Sequence, residues 1–484
     1  MSNTTEIYDV LVIGAGLSGI AAAYHLQDKC PKKNFAILEA RSAIGGTWDL
    51  FKYPGIRSDS DMYTLGFSFN LWDNPKAIAD GPSILQYIKN TAAKFGIDKK
   101  IKFNHKVMDA SWTDAEKLWT LTIAAHENIP EHKLQCKFLM SCSGYYDYDK
   151  GYDPDIEGSE TFTGKIVHPQ KWDETINYEN KKVIVIGSGA TAFTLVPEMA
   201  KKAEKVIMLQ RSPTYVVNLP SEDPVAKLFQ KFLPGKLTYS LVRWKNILLQ
   251  SGFYNASRKW PNAIKKLLMK RVQKELGKNY DMKNFEPNYK PWDQRICAIP
   301  DNDLFLAIKS GKAEVVTDTI KRFTPKGILV NSGRELEADI VVKATGLKVQ
   351  LFGGIKVYVN GVLVNSGSLH AYRGAMLSDM PNFAFTVGYT NASWTLKCDL
   401  SCRYITKVLN YMDEHNYTRC TPRFDTGKFK SEPLLDFSSG YVERALAFTP
   451  KQGSKHPWKV YQNYMRDLYA LKIDSAGDEY LEYR

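Results

Sequence analysis

Two glycine-rich turns, each held between an apolar strand and the start of a helix, do most to limit what this chain can fold into. The first lies in YDVLVIGAGLSGIAAAYHL, residues 8–26. Tyr8 to Ile13 read as a buried strand, and Gly14-x-Gly16-x-x-Gly19 leads into an alanine-rich helix. Gly14 permits the tight turn, Gly16 lets a pyrophosphate approach the backbone, and Gly19 lets helix and strand pack closely. The helix N-terminus then offers free N–H groups to phosphates. A second strand, Phe35 to Leu38, ends at Glu39, whose carboxylate can accept hydrogen bonds from ribose hydroxyls.

The second turn lies in KKVIVIGSGATAF, where Gly187-x-Gly189-x-x-Ala192 follows the strand Val183 to Ile186. Its next strand ends at Gln210-Arg211, with no acid where the first unit has Glu39. A carboxylate would repel a 2′-phosphate, whereas a guanidinium grips one bidentately. The first turn therefore reads as a site for an uncharged ribose such as that of FAD. The second reads as an NADPH site, with Arg211 the main phosphate ligand and Ser188 and Thr191 beside it. The expected fold is α/β with two dinucleotide-binding (Rossmann-like) domains.

Two more apolar strands, Cys136 to Gly144 and Ala338 to Gly346, end in a small residue followed by glycine, as expected where the chain crosses between domains. The FAD domain is expected to span 1–146 and resume at 376–484. The NADPH domain is expected over 147–213 and 288–375. Residues 214–287 show apolar recurrence of helical period, through LVRWKNILLQ and IKKLLMKRVQKEL, and are expected to form a helical insertion.

Composition narrows the function classes. The 484 residues carry a net charge of +13, and much of the excess lies in 227–283, where only Glu275 and Asp281 are acidic. A solvated helical face accounts for this, with peripheral contact to a membrane as the alternative. No recognised nucleic-acid motif accompanies the charge, so nucleic acid is not an expected partner. No run approaches the roughly 20 apolar residues that span a bilayer. MSNTTE has no basic segment ahead of the first apolar run, so no signal peptide and a cytoplasmic location are expected. Seven scattered cysteines without a CxxC pair suit reduced thiols, and neither they nor the histidines have metal-ligand spacing.

A flavin reduced by NADPH must pass its electrons on. Flavin disulfide reductases use a cysteine pair soon after the first nucleotide unit, but the corresponding stretch here, GGTWDLFKYPGIRSDSD (residues 45–61), has no cysteine. Electrons must leave by another route, such as oxygen. Gly45, Gly46, Trp48, Tyr53, Pro54, Gly55 and Asp59 fit the pattern [A/G]-G-x-W-x-x-x-x-[F/Y]-P-[G/M]-x-x-x-D. In FTGKIVHPQKWD, residues 162–173, Phe162, Gly164, His168, Trp172 and Asp173 fit F-x-G-x-x-x-H-x-x-x-W-[P/D]. On these motifs the chain resembles the Baeyer–Villiger monooxygenases, class B flavoproteins. YPGIRSDSDMYTLGF, LQRSPTY and TVGYTNASWTLK look most like the ethionamide-activating branch.

The resemblance implies that NADPH reduces FAD, that O₂ forms a C4a-peroxyflavin, and that this attacks a ketone to give an ester or lactone. S-oxygenation of sulfides and thiocarbonyls, the chemistry of prodrug activation, is implied as a second activity. The alternative is a flavin monooxygenase acting mainly on nitrogen or sulfur. Arg295, in PWDQRIC, stands where the family has its catalytic arginine, with Asp59 facing it. A guanidinium suits that place because it stays protonated. Gly46, Thr47, Trp48, Val107 and Asn391 carry over as cofactor contacts, and Trp394 as a substrate contact. Gln294 replaces a lysine that many relatives use for the 2′-phosphate, leaving more of that task to Arg211. Phe162, Gly164, His168, Trp172 and Asp173 carry over as a linker coupling the domains, with His168 as its anchor. The oligomeric state and the natural substrate are left open.

Overall fold

The computed structural model describes residues 6–127, 129–434, 444–473 and 475–484. Its first pass comprises β1 (Ile7–Ile13), α1 (Leu17–Lys29), β2 (Phe35–Leu38), α2 (Thr47–Leu50), α3 (Met62–Leu65), α4 (Gly81–Lys94), β3 (Ile101–Lys102), β4 (Val107–Thr113), β5 (Leu118–Ile123) and β6 (His132–Ser141). β1 is paired in parallel with β2 on one side and β6 on the other. Its two faces pack in separate cores, Val10 and Val12 on one side and Leu11 and Ile13 on the other, and Val10, Leu11 and Val12 are fully buried. That explains the unbroken apolar run, since a strand covered on both faces has no polar side to show.

The chain then builds a second domain from β7 (Lys165–Val167), β8 (Lys182–Ile186), α5 (Ala190–Met199), β9 (Lys205–Gln210) and β10 (Val216–Leu219). Three helices follow: α6 (Pro224–Gln230), α7 (Gly235–Lys259) and α8 (Pro261–Leu276). After them come β11 (Cys297–Pro300), α9 (Asp303–Lys309), β12 (Ala313–Thr317), the small antiparallel sheet β13 (Ile320–Thr324), β14 (Gly327–Val330) and β15 (Glu335–Glu337), and β16 (Ile340–Lys343). The main sheet is parallel in the order β12-β9-β8-β16-β7. The expected α/β fold with two dinucleotide domains is what the chain adopts.

The return to the first domain comes earlier than residue 376. β17 (Lys356–Val359) pairs in parallel with β4, and β18 (Val362–Leu363) extends that edge. β19 (Ala371–Tyr372), β20 (Met376–Leu377) and β21 (Phe383–Phe385) follow, and β21 lies along β6. These strands are two to four residues long, too short to show a period. α10 (Trp394–Glu414) then packs against α1 and buries one long face in the first core.

The two crossings between domains run side by side. Gln350 N donates to the Tyr145 carbonyl at 3.0 Å, Asp147 N to that of Lys348 at 2.9 Å, and Tyr152 N to that of Gly346 at 3.0 Å. The chain thus leaves the first domain and re-enters it along one antiparallel ribbon.

FTGKIVHPQKWD is not a free linker between domains. Its centre is β7, the edge strand of the second sheet, paired with β16. Phe162 is buried in that domain's core beside Phe323. A Cβ on Gly164 would lie 2.3 Å from the Asp339 carbonyl oxygen, so only glycine fits there.

The helical insertion belongs to both domains. Ala226, Tyr239 and Val242 join the first core, whereas Val272 joins the second. Arg243, buried on α7, donates from Nη1 to the carbonyls of Tyr63 (2.6 Å) and Gly66 (2.9 Å) at the end of α3. Asn246 and Gln250 donate to the two oxygens of Asp61, the residue capping the start of α3, each at 2.9 Å. No helix among the described residues is long and apolar enough to cross a membrane.

Candidate active site

The first glycine turn is shaped by the strand ends around it. Gly14 has φ +97°, and a Cβ there would meet the Cys142 carbonyl oxygen at 2.7 Å. A Cβ on Gly19 would lie 1.8 Å from the Gly14 oxygen. The second turn repeats the device, since Gly187 has φ +133° and its Cβ would meet the Ala344 oxygen at 2.4 Å. In both domains the turn lies tight against the end of the neighbouring strand, which leaves the following helix N-terminus open to a phosphate.

A cavity of about 480 Å³ is lined by Gly14 and Gly16, by Gly46, Thr47, Trp48 and Val107, and by Arg57, Asp59, Arg295 and Trp394. Glu39 also lines it, with Oε2 accepting from Ala15 N at 2.7 Å and Oε1 from Arg41 N at 2.9 Å. Burial pushes its carboxyl above the usual range, while these two N–H groups oppose that rise. Arg41 lines the same wall and pairs with Asp49 at 2.6 Å. The Tyr148 hydroxyl lies 3.2 Å from Thr47 Oγ1.

In the cavity wall Arg295 Nη2 lies 2.9 Å from Asp59 Oδ2, with the arginine side chain partly open to solvent and the carboxylate less so. The pair comes from different domains. Asp59 follows α2 in the first. Arg295 stands just before β11, where Cys297 N is fixed to the Tyr215 carbonyl at 2.8 Å. Burial pushes up the thiols of two cysteines lining the cavity, Cys297 to about 12 and Cys142 still further.

The stretch 45–59 explains itself as a domain contact. A Cβ on Gly55 would lie 2.7 Å from the Glu198 side chain, so the loop sits directly on α5. Tyr53 packs on the second core and hydrogen-bonds Thr191, and burial pushes its phenol up to about 12. Arg57, which the motif leaves unspecified, pairs with Asp303 on α9 at 2.5 Å and donates to the Phe193 carbonyl at 3.4 Å. Its position between two fixed motif residues was the one available signal of that role.

Trp394 also lines the cavity. Its indole N–H donates to Ser18 Oγ at 2.8 Å, and its ring stacks on Tyr145 at 5.2 Å. Asn391 is not brought into the cavity: its side-chain amide donates to the Gln462 carbonyl at 2.9 Å, and it faces a small neighbouring pocket. The second-turn residues Gly187, Ser188, Gly189 and Thr191 lie outside it too, although Ala190 and Thr194 from the same helix line it. Ser188 Oγ donates to the Ser212 carbonyl at 2.9 Å, and Arg211 is exposed at the end of β9. Gln294 is half-buried and outside the cavity.

None of Phe162, Gly164, His168, Trp172 and Asp173 lines the cavity. His168 Nδ1 accepts from Gln170 N at 3.2 Å, and burial holds the imidazole below its usual value. Its ring faces the crossing ribbon: a Cβ on Gly151 would lie 2.1 Å from it, and the backbone at Tyr152 and Gly346 is beside it. Trp172 packs on the second core, and Asp173 accepts from Thr175 N at 2.9 Å.

Residues 8–410 match the model of the family described as flavin-binding monooxygenase-like. The chain is 52% identical over 481 residues to the FAD-containing monooxygenase EthA of Mycobacterium tuberculosis, covering 99% of this chain and 98% of that one. Among solved structures, the oxidized steroid monooxygenase bound to NADP has a TM-score of 0.78 at 19% identity, with 99% of each chain covered. OTEMO in complex with FAD and NADP has a TM-score of 0.71 at 21% identity, covering 86% of this chain and 87% of that one. Two glycine turns, a cavity between the domains and these relatives lead to one assignment: the chain belongs to the flavin-binding monooxygenase-like family and is a flavoprotein monooxygenase.

Proposed function

We propose that the protein is an NADPH- and O₂-dependent Baeyer–Villiger monooxygenase that converts ketones to esters or lactones, with S-oxygenation of sulfides and thiocarbonyls as a second activity. The observation that carries this reading is the Asp59–Arg295 pair, formed across the domain boundary in the wall of the cavity. The residues present fit a dinucleotide flavin: Gly16 and Gly46 come close enough that a Cβ on Gly46 would meet Gly16 Cα at 3.1 Å, leaving a side-chain-free cradle. Gly14, Gly16 and the start of α1 would hold the pyrophosphate, Glu39 the ribose, and Gly46, Thr47, Trp48 and Val107 the rest. When bound, FAD supplies hydride acceptance from NADPH and the activation of oxygen.

The protein's own part is positional and electrostatic. Arg295 keeps a permanent positive charge at the cavity wall, available to an anion formed there and unable to quench it by giving up a proton. Asp59 holds the guanidinium in place by a charge-assisted hydrogen bond. Arg211, with Ser188 and Thr191 nearby, would receive the 2′-phosphate of NADPH. Trp394 and Tyr145 form an aromatic wall against which an apolar substrate packs. EthA, half identical to this chain, is named as an FAD-containing monooxygenase, which supports the cofactor reading.

The test is Arg295→Ala. NADPH should still bleach the bound flavin in anaerobic stopped flow, while ester formation from a ketone falls by about 10²–10³-fold, as for loss of one preorganised anion-stabilising donor. Ester produced at the wild-type rate would remove Arg295 from the chemistry. Parallel assays on a ketone and a sulfide decide the substrate class: N- or S-oxides alone, with no ester, would establish the heteroatom-oxidising alternative.

A further inference from the structure

Helix α7 is apolar on both sides. Inward, it buries Tyr239, Val242 and Ile247. Outward, Leu237, Leu241, Trp244 and Leu248 recur at intervals of four, three and four, and all are exposed, Leu248 at 57%. That spacing places them in one stripe along the solvent side, where a solvated helix carries polar residues. Leu228 and Phe232 extend the exposed surface towards α6, with Phe232 exposed at 77%. The helix Tyr464–Leu468 abuts α7, its Tyr464 ring 5.9 Å from Trp244. It continues the surface with Met465, Tyr469 and Ile473, again four apart and exposed, the last two at 65% and 67%.

The rim of this surface is cationic. Lys231, Lys236, Arg466 and Lys472 are all exposed. From Pro224 to Leu276 the only acidic residue is Glu275, on α8. The nearby carboxylates are already engaged: Asp223 pairs with Lys245 at 2.5 Å, and Asp467 is buried against Lys397 at 3.1 Å. A second copy meeting this face about a two-fold axis would set lysines against lysines. A surface of anionic lipid headgroups supplies the missing charge, while Trp, Tyr and Phe on the stripe suit the boundary between headgroups and acyl chains.

We propose that α6, α7 and the segment Tyr464–Ile473 form a docking face for an anionic bilayer, with the apolar stripe inserted and the lysines among the headgroups. The inner face of α7 meets Tyr389 and Leu396 through Ile247, and Tyr389 lines the main cavity. The membrane-facing helix is therefore one helix diameter, roughly 10 Å, from the site. Docking would draw substrates from those that dissolve in lipid. The docking claim does not depend on which atom is oxygenated.

The test is flotation of the full-length, FAD-loaded protein with vesicles of mixed phosphatidylglycerol and phosphatidylcholine, against vesicles of phosphatidylcholine alone. The protein should float with the anionic vesicles, weakly or not at all with the neutral ones, and less at high salt. Leu241→Glu with Leu248→Glu should stay at the bottom of the gradient while retaining flavin and NADPH oxidation. Lys231→Gln with Lys236→Gln should lower partitioning about fivefold per lysine. Absence from the floated fraction with both vesicle types overturns the proposal, as does wild-type flotation of the glutamate variant. Sedimentation velocity covers the other occupant: an oligomer that the glutamate variant dissociates, with no flotation of the wild type, would assign the face to a second copy.

Discussion

Replacing Arg243 with methionine should separate the helical insertion from the domain it is fastened to. The guanidinium is buried, and Nη1 reaches the carbonyls of Tyr63 at 2.6 Å and Gly66 at 2.9 Å, with Thr64 at 3.4 Å. These are the last carbonyls of α3, which have no partner within their own helix. Thr64 O keeps a donor after the substitution, because Thr395 Oγ1 reaches it at 3.0 Å. Two buried carbonyls then lose the bond Arg243 gave them, at about 1–3 kcal/mol each. Methionine fills part of the volume and recovers about 1 kcal/mol through apolar burial. The net loss is about 3 kcal/mol, read as a lowered urea midpoint at unchanged slope, by tryptophan fluorescence. Arg243→Lys should recover part of it, since an ammonium can still donate but lacks the planar fork. A change in Arg243→Met of less than about 0.5 kcal/mol would refute the reasoning, because two unsatisfied carbonyls cannot be that inexpensive in a dry site.

Arg211→Ala should raise KM for NADPH by about 10–100-fold, the worth of a charge-assisted phosphate contact, and leave KM for NADH unchanged; equal effects on both would move the 2′-phosphate site elsewhere. His168 gives a pH prediction. Its folded value is held below that of a free imidazole, so the unfolded chain binds the proton more readily, and the stability it contributes is present above about pH 6.5 and lost as the pH falls towards the folded value. His168→Asn keeps an acceptor for Gln170 N but removes the titration, so its stability should fall less steeply than the wild type between about pH 6.5 and 5. Parallel curves would mean that this imidazole does not titrate with folding.

Much of the fold could be read because it rests on local constraints. Gly14, Gly19 and Gly187 sit where any Cβ would strike a carbonyl, and such positions leave an unmistakable mark on a chain. Glu39 is legible from its place at the end of the strand that follows the first turn, and it lines the cavity. What escaped depends on contacts distant in sequence. The return to the first domain ahead of 376 is made by strands as short as Ala371–Tyr372, which reaches β6 only through β20 and β21 and is too short to show a pattern of its own. Arg243 sits among a dozen basic residues that look alike in sequence, and only its burial against α3 tells it apart. Asn391, expected at the cofactor, is turned away by Gln462, a partner no local reading supplies. FTGKIVHPQKWD looked like a linker because three residues of edge strand are too few to announce a sheet.

The paired crossings have a consequence for how the chain folds as it is made. All strands of the second main sheet lie between Lys165 and Lys343. That sheet can therefore be complete while the first is still missing β17, β21 and α10. β6 receives β21 as a neighbour, and α1 receives α10, only after residue 383 has emerged. Domains synthesised from the N-terminus usually fold in chain order. Here the topology lets that order reverse: the inner sheet can be finished before the outer one, whose closing contacts have very long sequence separation and are expected to form slowly. Until then the face of α1 that α10 covers stays open, and a nascent chain stalled short of α10 is expected to be the one most exposed to aggregation or chaperone capture.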